Sequence, residues 1–203
     1  MKSALFAILL LCLIPSRAQS QQPGKFDYYL LTLSWSPEFC YSHPTSPECA
    51  KHLGLIVHGL WPQYNGANAG PEHCGHPPGP ANPNALLDIM PSASLVEHEW
   101  AAHGSCSGLN ANDYFALLRR VFSRFHAPPQ LQHPARQAIL RVADLKRAIA
   151  QANPGLHESE MALACRGRYL SEVELCLGKD GRPQPCAALR ECGGPSVFVP
   201  AFR

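Results

Sequence analysis

Nine consecutive residues, His98-Glu99-Trp100-Ala101-Ala102-His103-Gly104-Ser105-Cys106, gather two imidazoles, a carboxylate and a thiol, and a further imidazole, His58, stands in His58-Gly59-Leu60-Trp61-Pro62. An imidazole titrates near pH 6.5, so a pair of them can take one proton and give another close to neutrality. Acid-base cleavage of a phosphodiester needs such a pair, one group to take a proton and another to give one. The fold then has to bring the two stretches to one place.

The spacing within the second stretch narrows the chemistry. If residues 91–103 form a helix, about 100° per residue places His103 at about +40°, Ala102 at about −60° and His98 at about −100° from Glu99. His98, Glu99 and His103 then share a face, with Trp100 and Ala101 turned toward a core. The zinc pattern His-Glu-x-x-His sets its histidines four apart, so that both reach one ion. Here they are five apart, about 140° around the helix, which does not suit one metal. The expectation is chemistry without a metal or other cofactor.

The elements that position these residues are legible as patterns. Phe26 to Trp35 alternates with apolar residues on both sides, as a strand buried on both faces does, and Ser36-Pro37 ends it. Leu53 to Val57 is a second short strand with His58 at its end, and the glycine- and proline-rich run from Pro62 to Asn84 is a long surface loop. Asp88 to His103 reads as a helix with Pro91 near its start, Ser92 or Ser94 as cap and Gly104 as its stop. A second helix runs from Asp113 to Phe125 behind Asn110 or Asn112, with a solvated face of arginines. Ala135 to Ala152 continues as one or two helices, broken near Val142 to Asp144. Strands follow at Met161 to Cys165, Leu170 to Leu177 and Val197 to Val199. In Leu170 to Leu177, Val173, Leu175 and Leu177 face one way and Glu172, Glu174 and Cys176 the other. Strands at both ends with helices between them predict an α+β fold on a mainly antiparallel central sheet with several packed helices, stapled by disulfides, in a single catalytic domain over 21–203.

The first twenty residues have the pattern of a secretory signal: Lys2, an apolar run from Ala4 to Ile14 too short to span a bilayer, and a polar end with cleavage near Ala18 to Ser20. This predicts a secreted or periplasmic product with no membrane anchor. Losing Lys2 and Arg17 leaves equal numbers of basic and acidic residues, which argues against holding nucleic acid by bulk charge and leaves room for a local cationic cleft. Eight cysteines remain, Cys40, Cys49, Cys74, Cys106, Cys165, Cys176, Cys186 and Cys192, and no Cys-x-x-Cys pair occurs, so they read as four disulfides. Spacing favours Cys40 with Cys49 and Cys176 with Cys186.

His58-Gly59-Leu60-Trp61-Pro62 and His98-Glu99-Trp100 through His103-Gly104-Ser105-Cys106 together resemble the two active-site signatures of the ribonuclease T2 family. Leu33-Ser34-Trp35-Ser36-Pro37 with Phe39-Cys40 resembles the family's first strand, and Leu170 through Glu172-Val173 to Cys176 its late one, so the likeness covers nearly the whole chain beyond the signal. The resemblance implies an endoribonuclease that cleaves single-stranded RNA through a 2′,3′-cyclic phosphate to a 3′-phosphate, as a monomer needing no protein partner. It implies His103 as general base, His58 as general acid, Glu99 as a group that orients a neighbour or stabilises the transition state, and His98 as a phosphate contact. It also implies pairing of Cys74 with Cys106 and of Cys165 with Cys192.

For base recognition, Trp61 is placed to stack on a nucleobase, the alternative being a core tryptophan. Gln63 stands where the family often has a base-reading aspartate, and Tyr64 is the nearest counterpart of a family tyrosine. The chain departs from the pattern at Ala102, where the family usually has a lysine that neutralises the pentacoordinate phosphate. Two readings follow: an active nuclease, with an arginine from another segment in the lysine's place or a reduced rate, and a non-catalytic member that binds RNA or a protein partner through the same cleft.

Overall fold

The computed structural model describes residues 21–66, 69–132, 134–187 and 189–202; the signal segment expected over 1–20 lies outside them. β1 (Tyr28–Trp35) is an inner strand of the sheet, and its alternation accounts for that position. Tyr29, Leu31, Leu33 and Trp35 enter the main core, and Tyr28, Leu30 and Thr32 are buried on the opposite face. β2 (Leu55–Gln63) and β5 (Tyr169–Leu177) flank β1, both antiparallel to it. β4 (Met161–Arg166) is antiparallel to β5, and β6 (Ser196–Val199) meets β5 in parallel and β3 (Ala138–Arg141) in antiparallel pairing. The result is one mixed, mainly antiparallel sheet of the α+β class.

Three helices, α2 (Ala93–Ala102), α3 (Ala111–Phe122) and α4 (Val142–Ala152), send Val96, Trp100, Tyr114, Leu117, Leu118, Val121, Leu145 and Ile149 into the core on one side of the sheet. Among the described residues, the other side carries only a small cluster of Tyr28, Leu30 and Cys176, packed by Trp61, Cys186, Ala187 and Leu189. Polar strand residues on that side therefore face a cleft instead of a core. Four disulfides, Cys40–Cys49, Cys74–Cys106, Cys165–Cys192 and Cys176–Cys186, are the same pairs that spacing and resemblance imply.

Several boundaries differ from the pattern reading, each for a local reason. α2 begins at Ala93, because Ser92 accepts the Leu95 amide at 3.2 Å and so fixes the first turn beyond Pro91. Ala138–Arg141 is a strand, not helix: Ile139 and its neighbours pair with β6, a tertiary contact that outweighs helix propensity. α4 therefore starts at Val142 behind Arg141, and Asp144 sits inside its first turn, bonded to Arg141 at 2.6 Å. A short helix α1 (Ser36–Ser42) follows β1 directly, with Pro37 in the first turn where its missing amide costs nothing. β2 runs on to Gln63, so His58 and Trp61 are inside the strand, not beyond it.

Candidate active site

β2 holds His58 through an irregularity. Along β1, Thr32 pairs with Gly59 and the next residue, Leu33, pairs with Val57, so His58 is an extra residue with no partner of its own. Without that bulge, period-two alternation puts His58 on the same side as Leu60, in the core. With it, Val57 and Leu60 both stay fully buried while His58 turns to the other face. There its Nδ1 meets Glu172 Oε1 of β5 at 3.0 Å and Ser34 Oγ of β1 at 3.2 Å, and Ser34 donates to the same carboxylate at 3.3 Å. With Nδ1–H donated to Glu172, the ring turns Nε2 toward Glu99, 3.5 Å from its Oε1.

α2 supplies the facing wall. Glu99 is 1% exposed, and its Oε2 accepts the Trp61 Nε1–H at 2.7 Å, so one carboxylate holds both the imidazole and the indole of the first stretch. A side chain on Gly59 would run into Glu99 Oε2 and the Trp61 indole nitrogen, which is why glycine follows His58. Gly104 is needed for a similar reason: a Cβ there would press into Trp100 and Tyr114. Its φ is not left-handed, so its part is close packing instead of the helix stop the pattern suggested. Replacing Gly59 with alanine is expected to separate Glu99 from Trp61, to cost about 1–3 kcal/mol of stability and to lower nuclease kcat/KM at least about 100-fold. Urea denaturation and steady-state cleavage measure the two effects.

His103 ends α2 as its C-terminal cap, with its ring 5.0 Å from that of Trp61. The His58 ring is 5.1 Å from the same indole, edge to face, so Trp61 links the two imidazoles. Their environments differ sharply. Burial, with His98, His58 and His73 nearby, pushes His103 down to about 4. Burial also works against a charged His58, but its hydrogen bond to Glu172 and the charge of Glu99 outweigh it and hold that ring above its ordinary value. Burial raises Glu99 in turn, offset in part by His58, the Trp61 bond and His98.

His103, Trp61 and Gln63 line a cleft of about 580 Å³ with Leu30, Glu174 and Arg190. His58 lines a second cavity of about 340 Å³ with Ser34, Glu48, Ser92 and Leu95. The two imidazoles thus line separate cavities. Gln63 is buried on the floor side. His98 is exposed on α2 and reaches the pair through its charge on Glu99 and His103. Tyr64 packs beside the main core and does not line the cleft. Ala102 is buried and Ala101 exposed, the reverse of the helical-wheel expectation for Ala101, because the loop at His73 and Cys74 closes over the helix end through His73 N–H to Ala102 O at 2.7 Å and the bond to Cys106. Among the described lining residues of the larger cleft, Arg190 is the only lysine or arginine.

Pattern reasoning missed Ser34, Glu172 and Glu174 as site residues. The signal available for the glutamates was their alternation with Val173 and Leu175 on a strand beside one buried on both faces, which places carboxylates under cover instead of in solvent.

The chain matches the sequence pattern of the Ribonuclease T2 family over residues 26–186. A ribonuclease of Aeromonas hydrophila is 33% identical over 195 residues, covering 90% of this chain and 89% of that one. Ribonuclease I of Escherichia coli (strain K12) is 28% identical, with 92% and 89% covered. Among solved structures, an RNase-related protein from Calystegia sepium is similar at TM-score 0.71 and 24% identity, over 88% of this chain and 98% of its own. Ribonuclease MC1 from bitter gourd seeds is similar at TM-score 0.66 and 21% identity, over 85% and 99%. At these identities the solved structures speak for the fold, while the family pattern and the bacterial relatives span most of the sequence: the chain belongs to the ribonuclease T2 family.

Proposed function

We propose that this endoribonuclease is exported, works without a metal ion and cleaves single-stranded RNA in two steps, His103 acting first as base and His58 as acid. In the first step the ribose 2′-oxygen gives its proton to His103 and attacks phosphorus, while His58 protonates the departing 5′-oxygen, leaving a 2′,3′-cyclic phosphate. In the second step His58 takes a proton from water and His103 returns one to the 2′-oxygen, leaving a 3′-phosphate. One observation carries the assignment. Two imidazoles, both beside Trp61, have environments that push their proton affinities apart, His103 down to about 4 and His58 upward, so above about pH 4 His103 is free to accept while His58 is held toward its loaded, donating form.

The remaining residues take parts that fit their contacts. Glu99 positions His58 and Trp61 together, and Glu172 sets the tautomer of His58. The nucleoside bearing the 2′-hydroxyl occupies the larger cleft beside His103 and Trp61, and the leaving nucleoside the smaller cavity beside His58. Arg190 supplies positive charge at the rim of a cleft that has alanine at position 102. DNA lacks the internal nucleophile and is not cleaved by this route. Cleavage of RNA in excess chelator, with end-group analysis of the products, tests the proposal. Cyclic phosphates appearing first and 3′-phosphates later is the expected result. Loss of activity with chelator, restored by a divalent ion, or products ending in 5′-phosphate, would overturn it.

A further inference from the structure

The floor of the larger cleft holds a carboxyl that the two-step reaction does not use. Glu174 lies in mid-β5, in register with Thr32 of β1 and Ala162 of β4, one alternation along from Glu172. It is 9% exposed, yet lines the cleft with Trp61 and Gln63. Among the described residues no hydrogen bond or ion pair holds it. Thr32 beside it does not help, since its own buried hydroxyl has no partner. An ionised carboxyl so placed costs the fold free energy that nothing within the chain returns.

We propose that Glu174 reads the Watson–Crick edge of the nucleobase that Trp61 stacks, and that in its ionised form it selects guanine. The inference rests on the reading of the cleft as the seat of the nucleoside that carries the 2′-hydroxyl. A carboxylate offers two acceptors side by side and no donor. Guanine alone answers with two parallel donors, N1–H and N2–H, whereas adenine, cytosine and uracil each turn at least one acceptor toward it. A protonated carboxyl is one donor beside one acceptor, which matches the N1 and N6 of adenine or the N3 and N4 of cytosine. Gln63 both donates and accepts and, with a rotatable amide, does not enforce either choice.

Burial and the neighbouring Glu172 raise Glu174 to about 7, so both forms exist across the neutral range. The titratable groups that face the site are Glu172 on β5, Tyr28 on β1, His103 at the end of α2, Glu72 in the long loop, and Arg190 and Glu191 after β5. Glu191 is already paired with Lys146, and β4 presents only alanines at this level, Ala162 and Ala164.

The experiment is calorimetric titration of the purified protein with guanosine 3′-monophosphate and with adenosine 3′-monophosphate at pH 5.5 and pH 8. The ratio of the two affinities cancels the ionisation of the phosphate and of the histidines, which both ligands share. The wild type is expected to favour the guanosine ligand about tenfold or more at pH 8, equivalent to about 1.4 kcal/mol, and to lose that preference at pH 5.5. Glu174→Gln and Glu174→Ala are both expected to give a ratio that no longer depends on pH. A wild-type ratio that is flat with pH, or variants that keep the wild-type dependence, would overturn the assignment. Binding needs no turnover, so a protein that discriminates without cleaving RNA would sink the nuclease reading and leave the base-reading one standing. Folding is not in the way: a carboxyl whose affinity for protons is raised by burial destabilises the fold above that pH, so Glu174→Gln should melt no lower than wild type at pH 8.

Discussion

His103→Ala is expected to lower kcat/KM by about 10²–10⁴-fold and to erase the acid limb of its pH profile. The reasoning starts from proton occupancy. His103 is held down to about 4 by burial and by the imidazoles around it, so it is unprotonated over most of the working range, and wild-type kcat/KM should rise with pH through that value. His58 is held above its ordinary value by Glu172 and Glu99 against the opposing effect of burial, so kcat/KM should fall again only once the pH passes the ordinary histidine range. The profile is a bell with a weakly acid to neutral optimum. His58→Ala should lose activity on a similar scale but erase the alkaline limb. Rates on a dinucleoside phosphate from pH 3 to 9 separate the two, and a variant of either histidine that keeps both limbs would refute its part in proton transfer.

Glu172→Gln is the second variant with a large expected effect, and the effect is a displacement as well as a loss. The glutamine oxygen still accepts the Nδ1–H of His58, now 3.0 Å from the carboxylate, so the tautomer survives while the charge goes. Burial is then less opposed, and the alkaline limb should move to lower pH. At pH 7 kcat should fall about tenfold or more, since a drop of one unit in the acid's proton affinity is a factor of ten in the loaded fraction once the pH exceeds it. At pH 5 it should change little. KM should stay near the wild-type value, because Glu172 does not line the larger cleft. A uniform loss at every pH, with no movement of the limb, would mean that the residue serves folding alone.

How much of this was legible in the sequence depends on the range of the interaction involved. The two active-site stretches announce themselves because their residue types are rare together, and β1 reads correctly because alternation over eight residues is a local signal. The cysteine pairs close in sequence follow from spacing, and the distant ones came only with the family resemblance. Ala138–Arg141 looked helical because its neighbours favour helix, and only the pairing of Ile139 with Phe198, far along the chain, makes it a strand. Glu172 was visible as one face of a strand, yet its partner, His58, lies 114 residues earlier. Ala101 was misjudged because a helical wheel describes a free helix, whereas the Cys74–Cys106 bond brings a loop over the end of this one.

The extra residue at His58 makes the catalytic apparatus a matter of counting along β2. A chain shortened by one residue between Val57 and Leu60 would pair with β1 without interruption, and an uninterrupted ladder is the better-behaved strand. Loss of His58 itself leaves every core residue of β2 available and removes the imidazole from the cleft. Selection for a sturdier sheet and selection for cleavage therefore pull on the length of this strand in opposite directions, and a single-codon deletion is enough to pass from one to the other.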